Sequence, residues 1–214
     1  MSKKAPARRG ARAGVSDSVR GKEEEVILVD ERDRELGSAG KLRAHVEGAL
    51  HRAFSVFVFD ERGRLLLQKR AAGKYHSAGL WSNTACGHPR PGEGTAAAAR
   101  RRLREEMNFD CELREEFSFL YRAELGGGLV EHEYDHVFAG TFAGLPSPDP
   151  AEVEDWEWVA VEELRRNVGR EPARYSRWLR IVVEDSGWHR LHAPDGSSGH
   201  GRHAQRQKQR GGTL

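Results

Sequence analysis

Residues 81–94 read WSNTACGHPRPGEG and form the most informative segment of the chain. The segment places a thiol, Cys86, and an imidazole, His88, two residues apart, and in extended backbone such a pair projects to one side. Its glycines and prolines are typical of a loop. Loops held by a rigid scaffold often carry reactive groups, and cysteine and histidine both serve as acids, bases or metal ligands. The pair is therefore a candidate site, although a buried cysteine beside a turn histidine gives the same pattern.

The apolar runs before this segment predict strands. Residues 53–59 and 64–70 are separated by the turn-forming sequence DERG, which favours a β-hairpin. An earlier run, VILV at residues 26–29, predicts a strand that ends in a turn. Between them, residues 37–48 form a polar segment bounded by glycines, for which the sequence predicts no regular element.

A helix and further strands are predicted after the segment. Thr95 can cap a helix that runs to Met107 and ends near Asn108, a residue tolerated in the left-handed conformation. Residues 117–122 and 129–141 predict two strands joined by a triple-glycine turn. The last predicted elements are a short strand and two helices, at residues 156–159, 161–167 and 175–185.

The second of these strands carries the sequence VEHE, in which two glutamates share one face. Because side chains alternate along a strand, Glu131 and Glu133 point to one side and His132 to the other. Two carboxylates placed in this way repel each other unless a cation or a proton intervenes. The pair is a candidate metal or acid–base site; the alternative is a solvent-facing polar stripe on an edge strand.

Composition limits the class of protein. The 214 residues include 35 basic and 33 acidic side chains, a net charge of +2, and this mixed field does not indicate a nucleic-acid partner. Two cysteines are too few for a disulfide framework and suit a reducing compartment. No apolar run approaches the roughly 20 residues of a membrane helix. We expect a cytoplasmic protein with no membrane partner.

The chain is expected to form one folded domain, residues 24–190, between two disordered basic tails at residues 1–23 and 191–214. The tails lack the apolar residues whose burial offsets the entropy of ordering. An alternative hypothesis is a metal-containing binding module whose tails contact nucleic acid, which predicts salt-sensitive affinity. Neither tail interleaves aromatic with basic residues, and this argues against that alternative.

Three histidines and two glutamates stand out as potential metal ligands. They are His45, His51, His88, Glu131 and Glu133. Imidazoles and carboxylates are the mixture expected for zinc, manganese or iron, whereas magnesium prefers oxygen ligands alone. Their separation in sequence is large and matches no short zinc-finger spacing, so the sequence alone supports this cluster weakly.

The stretch from Gly87 to Phe109 resembles the Nudix box, Gly-x5-Glu-x7-Arg-Glu-apolar-x-Glu-Glu-x-Gly-apolar, which presents carboxylates to a magnesium–diphosphate complex. Two positions, Arg102 and Asn108, depart from that pattern. Hydrolases of the family use a glutamate at the position of Arg102, so the substitution argues against ordinary hydrolysis. A pyrophosphohydrolase stays an alternative because both later glutamates survive. The matching positions are Gly87, Glu93, Arg101, Leu103, Glu105, Glu106 and Phe109.

Over residues 24–185 the chain resembles the type 1 isopentenyl-diphosphate isomerases. The resemblance is carried by AFS at residues 53–55, residues 81–89, the altered box, and EHE at residues 131–133. It implies an α/β fold, a Nudix-like α/β/α sandwich with a mixed central β-sheet. It also implies that the domain interconverts isopentenyl and dimethylallyl diphosphate, by adding a proton at one carbon and removing one at another.

The resemblance also implies roles for individual residues. Cys86 and Glu133 would be the catalytic pair, with Tyr121 supporting the carboxyl group and Trp178 lying near the carbocation. One Mn²⁺ or Zn²⁺ would be bound by His45, His51, His88, Glu131 and Glu133.

The implied partner is a small-molecule diphosphate. A basic clamp would hold its phosphates, and Mg²⁺ would join it to Glu106 and to the carbonyl oxygen of Cys86. The clamp residues are Lys41, Arg70, Lys74 and Arg102. The sequence does not determine the oligomeric state, and we expect a monomer.

Overall fold

The computed structural model describes residues 24–74 and 76–192. Most of both predicted tails, residues 1–23 and 193–214, lies outside the described residues. The first two residues of the segment 191–214 lie in the last 3-10 helix, where Leu191 is buried in the core. The division of the chain into a domain and two tails stays a prediction.

In chain order the described residues form nine strands and four α-helices. They are β1 Glu25–Val29, β2 Glu35–Gly40, α1 Lys41–Glu47, β3 His51–Phe59, β4 Arg64–Arg70, β5 Trp81–Ser82, β6 Ala85–Gly87, α2 Thr95–Met107, β7 Leu113–Gly126, β8 Leu129–Thr141, β9 Val153–Ala160, α3 Val161–Arg170 and α4 Arg177–Glu184. Two 3-10 helices, Pro172–Arg174 and Trp188–His192, flank α4.

The strands form one mixed sheet with β3 in its interior. Strand β3 pairs antiparallel with β1, β4 and β6, and parallel with β8. Strand β8 pairs antiparallel with β7, and β4 pairs antiparallel with β5 and β9. In this register Ser55 of β3 lies opposite Cys86 of β6, and His51 of β3 lies opposite Glu133 of β8. Strand β3 therefore separates the strands that carry the two predicted catalytic residues.

Helices cover both faces of the sheet. Phe57 of β3 belongs to a buried cluster with Leu164 of α3 and Leu179 of α4. The alternating neighbour Phe54 faces the other side and packs with Leu103 of α2. Because both faces of β3 are buried, its sequence is almost continuously apolar rather than alternating. This α/β/α arrangement confirms the predicted fold class.

The predicted strands at residues 26–29, 53–59 and 64–70 are confirmed, and the pairing of Phe59 with Leu65 confirms the hairpin. Asn108 ends α2 with a φ of 55°, as expected. The prediction that Thr95 caps this helix is wrong, because Gly94 is the N-cap and no side chain caps it.

No regular element is predicted from the sequence at residues 37–48, but this segment contains most of β2 and all of α1. Strand β2 is almost entirely exposed and is held by backbone pairing with β1. Helix α1 has only seven residues and exposes Leu42 and Val46, so neither element has the apolar periodicity that predicts it.

Packing of α2 on the sheet predicts a large loss of stability in a Leu103→Ala variant. Leu103 is fully buried, and removing its side chain should lower the free energy of unfolding by about 2–5 kcal/mol. Leu42→Ala, at an exposed position, is the control and should change it by less than about 0.5 kcal/mol. Urea unfolding measures both, and equal losses would contradict the packing of α2 against the sheet.

Candidate active site and metal centre

A cavity of about 200 Å³ brings the predicted site residues together. All of them line it except His45 and His51, which are fully buried beside it. Cys86 and Glu133 both lie on its wall, on the two strands that flank β3. The structure therefore places the predicted catalytic pair in a common cavity.

Four of the predicted metal ligands converge at the wall of this cavity. His45, His51, His88 and Glu133 each offer a ligand atom, and all four atoms lie within 4.8 Å of one another. Nε2 of His88 lies 3.2 Å from Nε2 of His51 and 3.0 Å from Oε1 of Glu133. These residues come from α1, β3, β8 and the loop after β6, so the fold assembles a group that is scattered in the sequence.

The hydrogen bonds of two histidines fix which nitrogen faces the group. Nδ1 of His45 donates to the carbonyl oxygen of Lys41 at 2.7 Å, and Nδ1 of His51 donates to that of Ala49 at 2.8 Å. When such a ring is neutral, its remaining nitrogen, Nε2, carries a lone pair that can bind a metal ion. Burial lowers the pKa of His45, and it lowers the pKa of His88 to about 4. Neutral imidazoles beside a carboxylate fit a divalent metal of the zinc or manganese type.

Glu131 lies in a second set that overlaps the first. Its carboxylate, His45 and His76 also have ligand atoms within 4.8 Å of one another. Sequence reasoning did not select His76, which follows the predicted clamp residue Lys74 on an irregular loop that has no diagnostic spacing. The ring of His76 lies 5.7 Å from that of Trp178, edge to face.

The two glutamates are buried and share a hydroxyl group. The Tyr121 hydroxyl lies 2.6 Å from Oε2 of Glu133 and 3.1 Å from Oε2 of Glu131. Burial, together with the charge of Glu133, raises the pKa of Glu131 well above its usual value. Burial alone would raise the pKa of Glu133 too, but the contacts with His51 and His88 outweigh it and hold that pKa well below normal. The pair is no solvent-facing stripe, because the glutamates are only 4% and 6% exposed.

Cys86 carries a protonated thiol. Burial raises its pKa to about 12, and the nearby charge of Arg70 offsets this only in part. At neutral pH the side chain is therefore a proton donor rather than a thiolate. Its apolar neighbours include Tyr121, Ala123 and Trp178.

The indole of Trp178 is held in a fixed orientation at the cavity wall. Its Nε1–H donates to Oδ1 of Asn83 at 2.9 Å, and the Asn83 amide in turn donates to the carbonyl oxygen of Ala85 at 2.7 Å. The guanidinium carbon of Arg70 lies 5.0 Å from the ring centroid, a cation–π contact. The ring thus faces a positive charge, which its π-electrons stabilise.

The four predicted clamp cations line the cavity, and carboxylates or carbonyl groups of the same chain bind each of them. Lys41 pairs with Glu24 at 2.9 Å, and Arg70 donates to the carbonyl oxygen of His76 at 3.1 Å. Lys74 pairs with Glu152. Arg102 pairs with Glu105, Glu106 and Glu152, and the fully buried Gln68 also donates to Glu106 at 2.6 Å.

Comparisons with known proteins identify the family of this chain. Residues 49–179 match the NUDIX domain family. The chain is 61% identical to isopentenyl-diphosphate Delta-isomerase 2 of Aromatoleum aromaticum over 162 residues, which cover 76% of this chain and 86% of the relative. It is 49% identical to the isopentenyl-diphosphate Delta-isomerase of Serratia proteamaculans, with 80% of this chain and 99% of the relative covered.

The chain belongs to the isopentenyl-diphosphate Delta-isomerases of the Nudix family.

Solved structures support the fold of this isomerase. A crystal structure of DR0079 from Deinococcus radiodurans matches with a TM-score of 0.65 at 22% identity, covering 79% of this chain and all of that one. The MutT NUDIX hydrolase of Burkholderia pseudomallei matches with a TM-score of 0.51 at 22% identity, covering 64% of this chain and 98% of that one. In the described part of the isomerase, no helix has the length and apolar character needed to cross a membrane.

Asp135 is a buried residue of the isomerase that sequence reasoning missed. It continues the two-residue repeat of Glu131 and Glu133 on β8, which was a usable signal. Its Oδ2 accepts a hydrogen bond from the Ser55 hydroxyl at 2.8 Å, and Ser55 lines the cavity opposite Cys86 in the sheet register. Burial, with the charge of Glu133, raises the pKa of Asp135 well above normal.

Gln68 and Glu152 were missed as well. Gln68 is a polar residue that follows three leucines on β4, and this interruption marks it as unusual. Glu152 lies in the turn before β9, where the sequence gives no signal.

The convergent histidines predict that a divalent metal stabilises the isomerase. Adding Mn²⁺ or Zn²⁺ to chelator-treated protein should raise its thermal midpoint, because the ion binds the folded state selectively. In a His88→Ala variant most of this rise should be lost, whereas His136→Ala, a histidine outside the group, should keep it. An equal rise in both variants, measured by scanning calorimetry with metal analysis, would show that the ion binds elsewhere.

Proposed function

We propose that the cavity interconverts isopentenyl and dimethylallyl diphosphate through a tertiary carbocation. The observation that carries this proposal is that Cys86 and Glu133 line one cavity from the two strands that flank β3. The two relatives described above are named isopentenyl-diphosphate Delta-isomerases, which supports this proposal. The substrate is a small diphosphate, with no nucleic-acid or membrane partner.

The reaction needs a proton donor and a proton acceptor that both reach the hydrocarbon tail. Adding a proton to the terminal CH₂ carbon forms a C–H bond and leaves the positive charge on the tertiary carbon. Removing a proton from the carbon on the other side of that centre returns its electrons as the new double bond. The protonated thiol of Cys86 and the carboxylate of Glu133 supply these groups, and because the reaction is reversible each acts as the acid in one direction.

The carbocation is protected by its surroundings. Trp178 presents its ring to the cavity, and an aromatic face stabilises a cation by about 0.5–2 kcal/mol. Phe54 and Tyr121 also line the wall, which limits the access of water to the reacting carbons. Tyr121 donates to Glu133 and so holds the orientation of that carboxylate.

The clamp of Lys41, Arg70, Lys74 and Arg102, which lines the same cavity, binds the diphosphate. Guanidinium groups suit this task because their planar array of donors matches phosphate oxygens. The three histidines with Glu131 and Glu133 would hold Mn²⁺ or Zn²⁺, which would adjust the acidity of Glu133. Glu106 and the Cys86 carbonyl would hold Mg²⁺, which would offset the charge of the diphosphate.

Loss of either catalytic group should abolish isomerisation. Cys86→Ala and Glu133→Gln should each lower kcat by at least about 10²-fold, the usual contribution of a positioned acid or base. Cys111→Ala is the matched control, since Cys111 does not line the cavity. Chromatographic separation of the two isomers measures the conversion, with and without a chelator. Undiminished conversion in both variants, or release of phosphate without isomerisation, would refute the proposal.

Tyr121→Phe should lower kcat by roughly tenfold and leave KM almost unchanged. The substitution removes the hydrogen bond that orients Glu133 and leaves the residues of the diphosphate clamp in place. Tyr134→Phe is the control, because Tyr134 lies on the neighbouring strand β8, next to Glu133, with its side chain on the opposite face of the sheet. Steady-state kinetics distinguishes the two effects. A change in KM alone would show that Tyr121 contributes to substrate binding instead.

A further inference from the structure

We propose that Glu152 competes with the diphosphate for Lys74 and Arg102, so that the clamp binds magnesium–diphosphate and discriminates against metal-free anions. This inference rests on the proposed function of the clamp. It assigns to Glu152 a role in specificity, exerted through the two cations that it holds.

The contacts of Glu152 support this role. Its Oε2 atom accepts from Nζ of Lys74 and, at 3.2 Å, from a terminal nitrogen of Arg102. A single carboxylate oxygen therefore lies between two cations at the wall of the cavity. A phosphate oxygen bound by the same two side chains would take the place of this oxygen.

The backbone holds Glu152 beside the clamp. Its N–H donates to the carbonyl oxygen of Asp149 at 3.0 Å, and its own carbonyl oxygen accepts from the N–H of Ala71 at 3.1 Å. The Asp149 N–H in turn donates to the carbonyl oxygen of Glu106 at 3.0 Å. The Glu152 side chain is 29% exposed, so it has room to leave the two cations while its backbone stays in place.

Charge explains why magnesium favours the replacement of the Glu152 carboxylate by the diphosphate. The side chains of Lys74 and Arg102 are only 16% and 21% exposed, so their pairing with Glu152 is screened less than a surface ion pair. A metal-free diphosphate that displaces Glu152 puts its own negative charge beside the displaced carboxylate and Glu106, and like charges at such a distance repel. A magnesium–diphosphate complex carries two fewer negative charges into the same space.

Calorimetric titration with inorganic pyrophosphate tests this role without measuring isomerisation. The protein is used as purified, and binding is measured with no added magnesium and with saturating magnesium. Glu152→Gln should bind metal-free pyrophosphate about tenfold more tightly than the unmodified protein, with a change of less than about threefold when magnesium is present. Glu154→Gln is the matched control, because Glu154 pairs with Lys69 and does not line the cavity.

Each other outcome has a distinct meaning. Unchanged or weaker metal-free binding in Glu152→Gln overturns the inference. If that variant instead loses magnesium-dependent binding, Glu152 is a magnesium ligand and the inference is again overturned. An unmodified protein that binds pyrophosphate under neither condition contradicts the clamp itself, and with it the proposed function. Glu152→Ala repeats the test if the glutamine variant does not fold.

Discussion

Burial of charge on one face of the sheet is the constraint on which this structure depends. Ionisable groups removed from water destabilise a protein unless protons, cations or hydrogen bonds compensate them. Here Glu131, Glu133 and Asp135 lie almost fully buried along β8, next to buried histidines. Tyr121, the imidazoles and Ser55 supply part of the compensation. A metal ion would supply further compensation. The same buried carboxyl groups and histidines therefore affect both the stability of this isomerase and its proposed chemistry.

Charges also compensate one another among the cations and carboxylates that line the cavity. Arg102 replaces a carboxylate of the hydrolase pattern and pairs with Glu105 and Glu106 along α2. In the proposed function, the substitution exchanges a metal-binding carboxylate for a guanidinium that binds phosphate oxygens. The proposed function therefore assigns the reaction to the hydrocarbon tail, with Cys86 as one of its two proton-transferring groups, and assigns the diphosphate to substrate binding.

The sequence predicts those features of the fold and the site that depend on neighbouring residues, and it does not predict those that depend on contacts between distant segments. Alternation along β8 correctly placed Glu131 and Glu133 on one face, and the apolar runs predicted β3 and β4. The common cavity of Cys86 and Glu133 depends on pairing of β3 with both β6 and β8, which no periodicity reveals. His76 and Glu152 reach the site from irregular segments, so only the tertiary structure identifies them. Helix α1 was missed because its stability comes from packing rather than from its own pattern.

The most direct test is the source of the hydrogen in the product. If a thiol and a carboxylate that exchange protons with solvent carry out the reaction, isomerisation in D₂O must introduce deuterium from the first turnover. We predict that mass spectrometry and proton NMR will find it in a methyl group of dimethylallyl diphosphate. A product formed at the normal rate without deuterium would contradict the account, because the hydrogen would then move within the substrate.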